Sequence, residues 1–159
     1  MAKPSIIRVP TAALASVTNS TAETTLGTVT LPAYSVKYPH RIRIQAVCKT
    51  PETDSTDTFA LKLKLGSTVL STVVAFDAAN NDVCFITFEG QIDSVAEVLH
   101  GVAFDGRTGA AVANPEPVAD IAFDCDAAQV LTVTGQWSVA AAANVATLKV
   151  FAVELQPVD

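Results

Sequence analysis

Two histidines, three cysteines and two acidic loops are the residues of this 159-residue chain whose chemistry has to be weighed first. A His-x-His or His-Glu-x-x-His spacing would set two imidazoles on one face for a metal ion. Neither spacing occurs. His40 follows Tyr38-Pro39 at the head of an alternating run and reads as a surface or capping side chain, and His100 has no carboxylate at a ligand spacing. Cys48, Cys84 and Cys125 are odd in number and widely spaced, which fits neither a disulfide framework nor a zinc site. Cys48 and Cys84 lie in apolar runs and read as small buried hydrophobes. Asp124 and Asp126 flank Cys125 and hold its thiol protonated, so all three cysteines are expected to be structural.

Glu52, Asp54 and Asp57 share one loop, and Asp124 with Asp126 form a second acidic pair. Such loops can hold calcium, but the ordered ligands, central Gly and terminal Glu of an EF-hand are missing. The expectation is two solvated acidic loops. Asp105-Gly106-Arg107 is first of all a turn signal. With seven glycines the chain forms neither a phosphate-cradling loop nor a Gly-x-Ser-x-Gly elbow. No residue is expected to be catalytic, to bind a cofactor or to ligate a metal. Trp137, the only tryptophan, reads as a core or interface anchor.

The composition points to what positions these residues. Half of the chain is hydrophobic and only 16% charged, which excludes disorder as the main state. No apolar run reaches the ~18–20 residues of a membrane span. Ala, Val and Thr dominate, and the β-branched types suit pleated, half-buried surfaces. A net charge of −6, with ten scattered Lys and Arg, argues against a nucleic-acid partner. Arg41 with Arg43, and Lys62 with Lys64, have the i, i+2 spacing of one solvated strand face. The start MAKPSIIRVP lacks the apolar core and cleavage site of a secretory signal, so synthesis in the cytosol is expected.

Strand signals come in series from Leu26. Arg41 to Cys48 alternates with Ile42, Ile44, Ala46 and Cys48 on the buried face, and Phe59, Leu61, Leu63 and Leu65 repeat the pattern. Gly66-Ser67 between two strand runs predicts a type II′ hairpin. Val83 to Phe88 is apolar on both faces, which predicts a strand covered on two sides or against a partner chain. Ile92 to Phe104 fits both a helix and a strand, with strand preferred. Asp105 to Gly109 is read as a turn, and Val118 to Phe123 as a short strand. Gln129 to Val139 and Val145 to Leu155 are read as a long C-terminal hairpin. About nine strands and no useful amphipathic helix predict an all-β, two-sheet sandwich, with a jelly roll the leading topology. Residues 1–25 are expected to be an extended N-terminal arm, and residues 26–159 the β-sandwich domain. Ile6, Ile7 and Val9 are apolar and strand-capable, and are the arm's candidate docking contacts.

The C-terminal run LTVTGQWSVAAAANVATLKVFAVEL resembles a pattern of tailed-bacteriophage virion proteins, a VTxQWS strand followed by a small-residue loop and a closing strand. The middle run RIRIQAVCKT…DTFALKLKLGSTVL resembles the LxLxLGxTxL hairpin of the same β-sandwich family. Together they cover residues 26–155. The chain departs from longer tail-fibre members in lacking repeats, a collagen-like tract or an appended domain. The resemblance implies a capsid decoration (cement) subunit made in the host cytoplasm. It would be a homotrimer bound to the major capsid protein on the outer surface of the virion, and not an enzyme. The alternatives are a tail or head-fibre receptor-binding sandwich and a lectin-like, carbohydrate-binding jelly roll. A lectin would need exposed aromatics clustered in one loop set, and the few here lie mostly in strand runs.

Overall fold

The computed structural model describes residues 5–8, 14–36, 39–52, 56–110 and 115–158, without the side chains of residues 5–8, 51–52 and 119. Among these residues there are eleven strands and no helix: β1 (Ser5–Arg8), β2 (Ser16–Thr18), β3 (Thr24–Leu31), β4 (His40–Glu52), β5 (Thr58–Leu65), β6 (Thr68–Asp77), β7 (Asp82–Asp93), β8 (Val98–Arg107), β9 (Glu116–Ala122), β10 (Gln129–Trp137) and β11 (Val145–Pro157). They form two antiparallel sheets. The larger runs β1-β11-β4-β7-β8-β9, with β2 also on β11, and the smaller runs β3-β10-β5-β6.

That order is a jelly roll with one addition. β1 and β2 share the same side of β11 and act as one interrupted strand, so β1/β2-β11-β4-β7 faces β3-β10-β5-β6 as two four-stranded layers. The β8–β9 hairpin is inserted between β7 and β10 and widens only the larger sheet. The buried sides of the expected alternating runs line the space between the layers. Ile44, Ala46, Cys48, Phe59, Leu61 and Leu63 are fully buried, and Trp137 packs its indole 5.0 Å from the Phe59 ring. The predicted hairpin turn is present: Gly66 sits at φ +56° between β5 and β6, and Ser67 keeps a negative φ, as type II′ requires.

Several expectations need correcting. β10 and β11 do not form a hairpin. Ser138 to Asn144 carries the chain from the smaller sheet to the larger, and Trp137 and Phe151 face the shared core from opposite layers. Ile92 to Phe104 is not one element: β7 ends at Asp93, whose carboxylate accepts hydrogen bonds from the backbone N–H of Val95 (2.8 Å) and Ala96 (2.9 Å) and closes a turn. Asp105 to Arg107 belong to β8 and not to a turn. Of the two arrangements expected for Val83 to Phe88, cover on both sides within the chain is not found: Cys84, Ile86 and Phe88 are buried and Val83 is exposed, so one face stays open to a partner chain. Within the segment expected as an arm, the described strands lie on their own chain: β1 pairs with β11 from Ser5 opposite Leu155 to Arg8 opposite Ala152, and Val17 of β2 is buried.

Candidate functional site

The outer face of the larger sheet is where the sequence pattern and the solvent exposure part company. Register places Val150, Val47, Phe85 and Gly106 in one row across β11, β4, β7 and β8. The next row holds Ala152, Gln45, Thr87 and Phe104, and the one after it Glu154, Arg43, Glu89 and Val102. Outward positions of a solvated sheet are normally polar. Here Val47, Phe85, Val102 and Phe104 are half-buried by one another, and Val150 and Val83 stay 40% and 36% exposed. Among the described residues no other element lies over this band. Phe85 lies flat because position 106 is glycine: a Cβ there would stand 2.7 Å from its ring carbons.

Beyond the apolar rows the face turns polar. Arg43 Nε pairs with Glu89 Oε1 at 3.1 Å, both side chains half exposed. With Arg41, Glu154 and Gln156 they border a shallow depression of about 300 Å³. At the far edge, β8–β9 pairing sets His100 Nδ1 2.6 Å from Asp120 Oδ1, a contact between strands that spacing along the chain did not reveal. His40 begins β4, as expected of it, but is nearly buried rather than on the surface.

The remaining chemistry-bearing residues are spent on structure. Glu23 reaches over the outside of the smaller sheet to the ammonium groups of Lys62 (2.7 Å) and Lys64, and accepts a hydrogen bond from Thr134 (3.1 Å). Those two lysines, with Thr134, hold its carboxyl down at about 2. Asp57 is buried and accepts a 2.7 Å hydrogen bond from Asn144, tying the start of β5 to the β10–β11 connection. Asp124 accepts from the backbone of Asp126 and Ala127 within its own turn, at 2.8 and 3.0 Å. Asp54 lies outside the described residues, and Glu52 ends β4. Among the described residues no three His, Cys, Asp or Glu side chains gather as a metal site.

Cys48 and Cys84, distant in sequence, stand opposite each other in the β4–β7 register, both buried and unbridged. Their mutual hydrogen bond and burial push the Cys48 thiol well up. Burial also raises Cys125, with smaller contributions from Glu97, Asp124 and Asp126. As for the arm contacts, register sets Ile6 opposite Glu154 and Ile7 opposite Val153. Val9 and the side chains of Ile6 and Ile7 lie outside the described residues.

No known family matches the sequence, and no curated protein matches it either. Several solved structures are similar at a distance. The CBM2 module of the evolved Dit of Lactobacillus casei BL23 phage J-1 matches at 11% identity and a TM-score of 0.46, over 83% of this chain and 69% of that one. Lectin I-B4 from Griffonia simplicifolia matches at 9% identity and 0.38, over 84% and 80%. The infectious bursal disease virus Gx strain structure matches at 10% and 0.36, over 98% of this chain and 42% of that one. All three scores fall below 0.5.

Proposed function

We propose that this chain is a non-catalytic structural subunit of a tailed-bacteriophage virion, a capsid decoration protein that forms a homotrimer and seats on the major capsid protein at the outer surface of the shell. The observation that supports this best is the apolar band on the outer face of the larger sheet. Phe85, Phe104, Val47, Val102 and Val150 stand where a solvated sheet would carry polar side chains, and burying each of the larger ones against a neighbour contributes ~1.5–3 kcal/mol. Such a face suits a subunit made to be covered by other protein. β1 borders this face beside β11, which puts the strand carrying Ile6 and Ile7 within reach of a neighbour seated there. The net charge of −6 suits a position outside a DNA-filled shell. A lectin-like role would call for aromatic rings around a groove, and the depression beside Arg41 is lined by none.

The test is to strip the protein from purified particles and add it back. Heads that regain resistance to heat and chelator, with antibody label over the capsid, are the expected result. Label confined to the tail, or heads equally stable without the protein, would overturn the reading.

A further inference from the structure

The two sheets end in four edges, and three of them are protected. β1 has only four residues and carries Arg8, with Pro4 and Pro10 beside it. β9 contains Glu116, Pro117 and Asp120. β3 stops at Pro32, and its Leu26 carbonyl already accepts a 2.8 Å hydrogen bond from Ala15 N–H. β6 is different. Its ten residues, Thr68 to Asp77, include no proline and no charge before the last position, and Val69 and Val74 are exposed at 44% and 75%. Among the described residues it pairs only with β5, where two register shifts are its sole irregularity. A long, apolar, β-branched edge is a template for another strand.

The wall beside that edge says what kind of strand. β8 and β9 carry the larger sheet past β6, so a strand added to β6 would lie over their inner side. Three adjoining depressions of about 230, 240 and 230 Å³ follow β6 along this overhang. Asp105 is in register with buried Ile86, and Glu116 with buried Ala103, so both carboxylates sit on the inner face, where a sandwich normally places apolar side chains. Neither has a hydrogen bond or ion pair among the described residues, and both line the same depression. Burial and then the charge of Glu116 push the Asp105 carboxyl up, as expected of two acids left without a cation. Arg107, two residues on, lines the other two depressions and makes no ion pair with either acid, its guanidinium lying 4.9 Å above the Phe76 ring of β6.

We infer that the β6 edge is an acceptor for an extended, basic segment of another protein, which adds a fifth strand to the smaller sheet and sets Lys or Arg side chains against Asp105 and Glu116. Main-chain hydrogen bonds along β6 would supply affinity, and the two carboxylates would select the charge. A second copy of this chain fits less well, because pairing two β6 edges brings like charges together on molecules that each carry −6.

Two capped decapeptides test this on the full chain: one alternating Lys and Thr with Val, and one with Glu in place of each Lys. The lysine peptide is expected to bind and to slow amide exchange along Thr68–Asp77. The glutamate peptide should bind at least ten-fold more weakly, and the Asp105→Asn, Glu116→Gln double variant should lose about the same factor for the lysine peptide. Equal binding of the two peptides, protection elsewhere in the chain, or no binding would overturn the inference. So would protection of β6 that grows with protein concentration alone, which would assign the edge to a second copy.

Discussion

Glu23 shows how one acid set against two lysines can pin a loop. It reaches two lysines of β5 and a threonine of β10 from the chain just before β3, so it fixes the path between the sheets as well as two charges. Its carboxyl is held at about 2 against an ordinary 4.5. A depressed carboxylate stabilises the fold fully above the ordinary value and loses that effect as pH falls through the folded value. Glu23→Gln should therefore cost about 1 kcal/mol at pH 7, given the solvent screening of a partly exposed pair. The difference from the parent should shrink below pH 4.5 and be gone near pH 2. Urea unfolding at pH 7, 4 and 2 would show it, and an equal cost at all three would contradict the assignment. Sequence reading placed Lys62 and Lys64 on the correct outward face but could not find Glu23, because 39 residues separate it from Lys62. The same limit hid Cys84 from Cys48 and Asp120 from His100: strand pairing makes these neighbours, and spacing along the chain does not record it.

Between elements, the seat of Phe85 is the contact most open to test. Gly106→Ala on β8 would force the ring off the sheet and is expected to cost about 1–3 kcal/mol, the usual range for overpacking. In a Phe85→Ala background the same substitution should cost almost nothing, so the double-mutant cycle reads the contact directly. Additive costs would mean that Gly106 matters for its backbone alone. Period-2 alternation was enough to locate β4 and β5 and to assign their buried faces, since Ile42 to Cys48 and Phe59 to Leu65 each leave one side for solvent, whereas β6 and β11 were legible as strand runs without a face, and β6 buries Leu70, Val73 and Phe76 at a spacing of three. It failed where a polar residue did backbone work, as Asp93 does in closing the β7–β8 turn. It failed again at β10 and β11. A short small-residue loop looks the same whether it joins two strands of one sheet or crosses between two. The carboxylates of the overhang were invisible for a third reason: Asp105 looks like a turn residue, and Glu116, between Pro115 and Pro117, like part of a breaker, until the topology sets them on an inner face.

For the molecule as a whole, the uncovered band predicts association. Light scattering of the parent chain at micromolar concentration should return a trimer. Phe85→Asp with Phe104→Asp should leave the fold intact and weaken association at least about a hundred-fold, two aromatic burials at roughly 1.5–3 kcal/mol each. A monomeric parent would remove the main support for the decoration reading. The jelly-roll order also bears on when such a subunit can exist. Ser5 pairs with Leu155 and Thr24 with Gly135, so the first strands find their partners only in the last quarter of the chain. Contacts of this separation make folding slow, because loop closure over more than a hundred residues precedes the gain from these pairings. On a ribosome neither sheet can close until translation is nearly over, and until then the apolar β6 sequence is a liability for neighbouring nascent chains. The lag between synthesis and a closed sandwich should therefore be the step at which yield is lost, and cooling or chaperone supply, rather than a stronger core, should recover it.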